Sequence, residues 1–335
     1  MILNKQKLKE ALEIVKPGLS NKETIQQTSS FAFLGDRIVT YNDEISISHP
    51  LEGLEIEGAI PAENLYKFLG KIKKDEVELT LEGNEIIIVS GRSRAGLTIE
   101  SEVKLPLQEI SGDKLWQELP ENFNKFMSFA MTACSRNSSE PILGCVNVSK
   151  EGFLEASDGF RIVQCHLGSE MPLKTFLMPS TSILQIVKIQ PNLISEGNGW
   201  IHFKNEERTV ISCRIFEGVF PAVEKHLEVK GTKIILPRTI DEILDRAMVF
   251  AKKDSALDEN VEITIENRRL KIRAESESGW FEESANIQYE DEKIQFNITP
   301  FLLKDILNET QECLVGKDKL KFEGNGWKYM IALRM

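Results

Sequence analysis

Apolar residues recur at helical spacing at three widely separated places in the chain. Segments beginning at Pro61, Pro179 and Thr299 each carry apolar residues four, seven and eight positions later. This spacing puts the apolar side chains on one face of an α-helix, and proline is favoured at a helix start. The three starts lie 118 and 120 positions apart. Such a nearly constant period indicates an internal repeat.

A second helix and a set of hairpins repeat with the same period. Apolar residues follow Pro120 and Pro237 at matching offsets, and a similar stripe runs through residues 8–15. Alternation of apolar and polar residues is typical of strands with one buried face. It predicts hairpins at 80–92, 202–214 and 321–334, the first and last with a Gly-Asn turn.

The fold predicted from these patterns is α+β, with three tandem copies of one unit. Each copy has two helices and an antiparallel sheet. Polar stretches that contain glycine separate the copies at 110–118 and 226–233, and both are too short for flexible linkers. The expected domains are residues 1–112, 113–229 and 230–335.

Positive charge is predicted to lie on the helices, although the whole chain has a net charge of −11. Six helix windows carry +7 together, which leaves −18 for the remainder; they are 1–16, 61–74, 120–136, 179–190, 237–253 and 299–310. At about 100° per residue, Lys67, Lys71 and Lys74 lie opposite the apolar face of the second helix. Lys125 and Arg136 do so on the third. A solvated lysine-rich face is the common alternative, but segregation over six windows favours a surface that faces phosphate groups.

The sequence lacks the motifs of a catalytic, nucleotide-binding or metal site. Its histidines form no zinc-binding pattern; they are His49, His166, His202 and His226. Ser157 and the Asp-Gly pair after it are better explained as a turn between strands than as a catalytic group. We therefore expect no enzymatic activity, metal or cofactor.

Cysteine usage and hydropathy predict a cytoplasmic protein. The five cysteines are odd in number, scattered and without a C-x-x-C pair, which indicates reduced thiols. No apolar run reaches the roughly 18 residues of a membrane helix, so no membrane partner is expected. The N-terminal residues have the pattern of an amphipathic helix and lack a signal-peptide core.

Five strings resemble the bacterial DNA sliding clamps, the beta subunits of replicative DNA polymerase III. They are SGRSRAGL at 90–97, EASDGFRIVQC at 155–165, EGVFPAVEK at 217–225, FNITPFLLKDIL at 296–307 and ALRM at 332–335. They fall in all three repeats, in the order seen in the family. The chain is shorter than typical bacterial members, which leaves a phage-encoded relative open.

The resemblance implies a homodimeric ring of six domains, with helices lining a hole and sheets outside. Helices pack about 8–10 Å apart. Twelve of them would therefore enclose a hole of about 25 Å, whereas the six of one chain would leave under roughly 10 Å. A DNA duplex about 20 Å across fits only the larger hole. The implied partners are double-stranded DNA without sequence preference, a DNA polymerase, an ATP-dependent clamp loader and a second copy of the chain.

The resemblance also implies three sets of site residues. A hydrophobic pocket for partner peptides would be formed by Ile142, Ser157, Gly159, Phe160, Arg161, Ile162, Pro221, Tyr329, Ile331, Ala332, Leu333, Arg334 and Met335. To the DNA-contacting cations expected from the helix faces, Lys67, Lys71, Lys74, Lys125 and Arg136, the resemblance adds Lys22, whose loop corresponds to a DNA-touching loop of the family. The dimer interface would join Ala95 and Leu97 of one subunit to Val249 and Phe250 of the other.

Three features depart from the family pattern or allow a simpler interpretation. Phe160 stands where many members have histidine, and Ile331-Ala332 replaces a Met-Pro pair. Ala95 is smaller than the usual aromatic residue at the interface. Ile162 and Ile331 could be ordinary strand core. A repeat-built protein scaffold that does not encircle DNA is the alternative function.

Overall fold

The computed structural model describes residues 1–110, 114–137 and 139–334, and its fold is α+β. The chain forms two compact units. The first comprises Met1–Asn124 with Met171–Phe216, and the second comprises Lys125–Glu170 with Glu217–Met335. The expected boundary at residue 112 lies outside the described residues, so the division into three domains stays a prediction.

Six α-helices occur in the described chain, one in each predicted window. They are α1 (Lys5–Val15), α2 (Ala62–Lys71), α3 (Phe123–Met131), α4 (Ser180–Ile189), α5 (Ile240–Ala251) and α6 (Pro300–Leu307). Each buries the apolar stripe read from the sequence. Leu8, Leu12 and Val15 of α1, for example, are at most 1% exposed. None of these helices is long and apolar enough to cross a membrane.

Two helices end earlier than predicted, and this changes the expected basic surface. Lys74 lies three residues beyond the end of α2, and Arg136 lies five beyond the end of α3. Their assignment to helix faces was therefore wrong. Within their observed bounds the six helices carry only +2, so most of the surplus of +7 lies in the segments that flank them.

Thirteen strands are described in the first unit. They are β1 (Ile2–Asn4), β2 (Ser30–Gly35), β3 (Arg37–Tyr41), β4 (Ile45–Pro50), β5 (Ile56–Pro61), β6 (Glu76–Glu82), β7 (Glu85–Ser90), β8 (Ser93–Thr98), β9 (Gln117–Glu118), β13 (Phe176–Pro179), β14 (Leu193–Glu196), β15 (Trp200–Lys204) and β16 (Val210–Arg214). Eight of them form a sheet in the order β5-β2-β3-β4-β16-β15-β14-β9. Four others form a separate sheet in the order β1-β6-β7-β8.

Eleven strands are described in the second unit. They are β10 (Cys145–Val148), β11 (Phe153–Ser157), β12 (Arg161–His166), β17 (Gly231–Ile235), β18 (Val261–Glu266), β19 (Arg269–Ser276), β20 (Gly279–Asn286), β21 (Ile294–Ile298), β22 (Glu312–Gly316), β23 (Lys319–Gly324) and β24 (Trp327–Ala332). Seven run side by side in the order β10-β11-β12-β24-β23-β22-β17. The other four form the sheet β20-β19-β18-β21.

The same strand pattern recurs along the chain. A group of the type β5-β2-β3-β4 reappears as β21-β18-β19-β20, and a group of the type β9-β14-β15-β16 reappears as β17-β22-β23-β24 and as β1-β6-β7-β8. The three predicted hairpins are confirmed as β6–β7, β15–β16 and β23–β24. The repeat read from apolar spacing is thus a repeat of strand order.

His202 on β15 is a buried histidine whose protonation opposes folding. It is 3% exposed, and its Nδ1 lies 2.8 Å from Ser212 Oγ. Burial, with the nearby charge of Lys114, lowers the pKa of His202 to about 4 from an ordinary 6.5. Between pH 6.5 and 4, His202 is therefore protonated in the unfolded chain but neutral in the folded chain.

We predict that the stability this histidine contributes is present above pH 6.5 and is lost as the pH falls toward 4. His202→Gln should flatten the fall in melting temperature over this window. Melting curves at pH 7, 6, 5 and 4 would show it. His226→Gln, at an exposed position, is the control and should leave the fall unchanged. Parallel curves for wild type and His202→Gln would contradict the assignment.

Candidate functional site

The turn between β11 and β12 brings together four of the predicted partner-binding residues. Ser157 Oγ donates to the carbonyl of Arg161 at 2.8 Å and accepts from the Gly159 amide at 3.1 Å. Gly159 has a φ of +86°, in the left-handed region that glycine adopts without strain. Phe160 stands at the tip and is 40% exposed. The interpretation of Ser157 as part of a turn is confirmed.

Arg161 holds this turn against the rest of the second unit through a buried ionic network. Its guanidinium donates to Asp158 Oδ2 at 2.9 Å, to Tyr329 Oη at 3.1 Å and to Asp305 Oδ2. The residue is only 6% exposed, and a buried charge must be paired to be tolerated. Asp305 lies on α6. The sequence analysis did not identify it, because a single carboxylate on a helix carries no signal.

Three predicted pocket residues lie in the core and do not form an accessible wall. Tyr329 and Ile331 on β24 have no exposed surface, and Ile162 on β12 is 7% exposed. Burial raises the pKa of Tyr329 to about 12, so its hydroxyl stays protonated and donates to the Leu302 carbonyl at 3.0 Å. These residues support the surface from beneath.

The accessible apolar side chains lie around the turn and along the segment after residue 216. Pro221 is exposed, Ile142 is half-buried, and Val219 is 86% exposed. Val219 was not among the predicted residues, although it lies in the string EGVFPAVEK. Its neighbours Phe220 and Val223 pack inward, so the segment presents Val219 and Pro221 outward.

The last described residues are tied to the second unit by backbone hydrogen bonds. The Ala332 amide donates to the Phe160 carbonyl at 2.8 Å, and the Leu333 amide to the Asp318 carbonyl at 2.9 Å. The Arg334 amide donates to Asn297 at 2.9 Å, and its guanidinium to the Leu257 carbonyl. All three residues are half-buried. Met335 lies outside the described residues.

The predicted interface residues lie on one sheet edge and on a helix that packs beside another. Ala95 and Leu97 are half-buried on β8, an edge strand of the sheet β1-β6-β7-β8. Val249 on α5 is 69% exposed, and its neighbour Phe250 stacks on Phe281 of β20 with ring centroids 6.1 Å apart. β20 is an edge strand of its own sheet.

The predicted DNA-binding cations are exposed and mostly without acidic partners. Within the described chain, Lys22, Lys71, Lys74, Lys125 and Arg136 make no ion pair. Lys67 is paired with Glu63 one helical turn away, which reduces its availability to phosphate. On α6, Lys304 is likewise paired, with Asp241 at 3.2 Å and with Asp245.

An open groove of about 750 Å³ in the first unit was not predicted. Residues of α1, β4, α4 and β16 line it. Ile47 and Ile211 belong to its floor, and Glu10, Glu52 and Glu207 are among its charged residues. The surplus of carboxylates makes it unsuited to nucleic acid, and no predicted site residue lies in it.

No family model matches the chain, and no curated protein matches it. Solved structures do. The DNA polymerase III subunit beta of Pseudomonas aeruginosa aligns with a TM-score of 0.85 at 17% identity, covering 100% of this chain and 99% of that one. The Bacillus subtilis sliding clamp gives 0.84 at 18%, covering 100% and 98%.

The beta subunit of Thermotoga maritima gives a TM-score of 0.79 at 19% identity, again covering 100% of this chain and 98% of that one. The similarity extends over the whole chain in each case. The fold is therefore the one seen in bacterial sliding clamps, as the sequence strings predicted.

Proposed function

We propose that this protein is a DNA sliding clamp: a closed homodimeric ring that encircles duplex DNA and tethers a polymerase to it. The observation that carries the proposal is that two edge strands, β8 and β20, lack within the described residues the partner that their counterparts in the other repeats have. β8 and β20 each have one side without a strand partner in the described chain. The strands at the equivalent positions of the other repeats are paired with each other.

Two junctions inside the chain give the pattern. In the first unit β4 pairs antiparallel with β16, and Ile47 lies opposite Ile211. In the second unit β12 pairs antiparallel with β24, and Val163 lies opposite Tyr329. In both junctions the second strand of one hairpin pairs with the last strand of the following repeat.

β20 and β8 are the strands left over by this rule. β20 is the second strand of the hairpin β19–β20, as β4 is in β3–β4 and β12 is in β11–β12. β8 is the last strand of its sheet in chain order, as β16 and β24 are in theirs. An unpaired edge presents a row of free backbone donors and acceptors. Pairing β20 with the partner subunit's β8 would satisfy both edges.

The register of the β12–β24 junction carries over to this seam. Phe281 and Val163 are each the fourth residue after the midpoint of their hairpin, so Phe281 takes the place of Val163. Ala95 takes the place of Tyr329 by the same count. Phe281 would then lie opposite the partner subunit's Ala95, a large residue against a small one. On the other face of the strands, Glu282 would lie opposite the partner subunit's Arg94, which matches their charges.

Two such seams would close two chains into a ring, because each subunit has one edge of each kind and a head-to-tail contact closes when its rotation allows. The unpaired cations at the helix ends would then meet phosphate groups. Contacts of this kind position a protein on DNA without reading bases, which suits a ring that slides.

The surface around Phe160, Val219, Pro221 and Leu333 is the proposed docking site for polymerase peptides. It offers apolar side chains beside a rim formed by Arg334, the combination that short peptide segments bind. Tethering by such a site raises the local concentration of polymerase at the template. The Arg161 network would hold the tip of the turn in place.

Phe250→Asp should break the dimer, since it places an unpaired charge in the apolar part of the seam. Sedimentation of the wild type should give twice the chain mass of 38.0 kDa, and the variant should give the chain mass itself. Leu115→Asp, at a position 82% exposed and outside both β8 and β20, is the matched control and should stay dimeric. A dimeric Phe250→Asp variant would count against the seam.

Phe160→Ala should reduce polymerase stimulation about tenfold, because few exposed aromatic anchors carry most of the energy of a peptide site. The readout is primer extension by a bacterial replicative polymerase on a singly primed circular template, with sedimentation to confirm an unchanged dimer. Leu81→Ala, at another exposed apolar position (56%), is the control. Equal loss in both variants, or loss in neither, would place the docking site elsewhere.

A further inference from the structure

An apolar cluster lies over one internal sheet junction and beside the other, on the sheet face turned away from the helices. At β12–β24 the cross-strand pair Ile162 and Met330 packs under Val223 and Leu227, which belong to the segment after residue 216. The four side chains form one buried cluster. The junction therefore does not depend on strand pairing alone.

At the junction β4–β16 the cross-strand pair on this face is polar, Ser46 and Ser212, and an apolar cluster lies beside it. Tyr41 and Trp200 lie beside it with ring centroids 6.0 Å apart, and Leu105 and Ile110 from the segment after β8 complete the buried cluster. At β12–β24 the apolar cluster thus includes residues of the paired strands themselves, whereas at β4–β16 it lies next to them. The proposed seam between subunits has the register of β12–β24 and should need an apolar layer of that kind.

Trp280 occupies the corresponding position on β20. It is the third residue after the midpoint of the hairpin β19–β20, as Ile162 is the third residue after the midpoint of β11–β12. Alternate residues of β20 are exposed, and Trp280 lies on the exposed side while Phe281 faces α5. Arg273 lies 5.7 Å from its ring centroid. The side chain is still 62% exposed.

Gly96 occupies the position opposite. It lies three residues beyond the start of β8, as Met330 lies three residues beyond the start of β24 after an equally short hairpin. The register would place Gly96 across the seam from the partner subunit's Trp280. Glycine offers no side chain there, and a strand glycine is stabilised when a cross-strand aromatic side chain covers it.

We infer that Trp280 covers the outer face of the subunit seam by lying over the partner subunit's Gly96. This inference rests on the proposed dimeric ring and names the residue that seals it. The occupant of the exposed ring face is a second copy of this chain. A buried tryptophan removes about 150–250 Å² from water, enough to make it one of the few residues that dominate an interface.

Tryptophan emission provides a direct test. The chain has four tryptophans, of which Trp200 and Trp327 are already buried and Trp116 is half-buried. Wild-type emission should shift to shorter wavelength as the concentration is raised through the dimer dissociation constant. Trp280→Phe should lose this shift, whereas Trp116→Phe, the matched control, should keep it.

Dimer affinity gives the second readout. Trp280→Ala should raise the dissociation constant measured by sedimentation about tenfold or more, and Trp116→Ala should leave it unchanged. Gly96→Trp should also weaken the dimer by crowding Trp280, and combining it with Trp280→Ala should recover part of the affinity. Circular dichroism of each variant would confirm that the chain is folded.

The outcomes separate this inference from the proposed function. A wild-type chain that stays monomeric at all concentrations would overturn the ring and the inference together. A dimeric wild type whose affinity and emission shift do not depend on Trp280 would leave the ring standing and overturn the inference alone.

Discussion

The structure depends on one constraint: every strand edge in a sheet must find a partner or remain exposed as a row of free amides and carbonyls. Inside the chain two pairs of edges are joined by the same rule, in which the hairpin of one repeat pairs with the last strand of the next, at β4–β16 and at β12–β24. By the same rule β8 and β20 should also be paired, but within the described chain they have no such partner. A ring of identical subunits is the simplest arrangement that uses both.

The proposed docking surface depends on a second interaction, the buried charge of Arg161. Its guanidinium ties the exposed turn of β11–β12 to Asp305 on α6 and to Tyr329 on β24. The turn that presents Phe160 is thus held by two separate elements of the second unit. A rigid turn suits a peptide-binding surface, because the turn does not have to become ordered when the peptide binds.

Much of the fold could be predicted from the sequence because apolar spacing is local. The stripes after Pro61 and Pro179 predicted α2 and α4, and alternation predicted the hairpins. The ends of helices were less well predicted. Lys74 and Arg136 continue the spacing of basic residues but lie past the helix ends, since helix termination depends on contacts outside the helix.

The candidate site was predicted only in outline, because burial and ion pairing depend on residues distant in the sequence. Alternation could not tell that Tyr329 and Ile331 are fully covered, nor that Val219 is exposed. The pairing of Lys67 with Glu63 is an exception, since the two residues are four apart on one helix and their spacing alone allows an ion pair. The role proposed for Trp280 required the strand registers, which no sequence pattern contains.

The central claim is that two chains close around DNA through β8 and β20, and covalent closure of the seams tests it most directly. Arg94→Cys and Glu282→Cys in one chain place two thiols at positions opposite one another in the proposed register, within disulfide reach. The five native cysteines are all buried. The reduced variant would be dissociated by dilution, mixed with nicked circular plasmid, concentrated and oxidised.

The account predicts a covalent dimer that stays on the circle in about 1 M salt, where phosphate contacts are screened. Cutting the plasmid once with a restriction enzyme should release it. Failure of the thiols to cross-link, or a cross-linked dimer that leaves circular and linear DNA equally fast, would contradict the account.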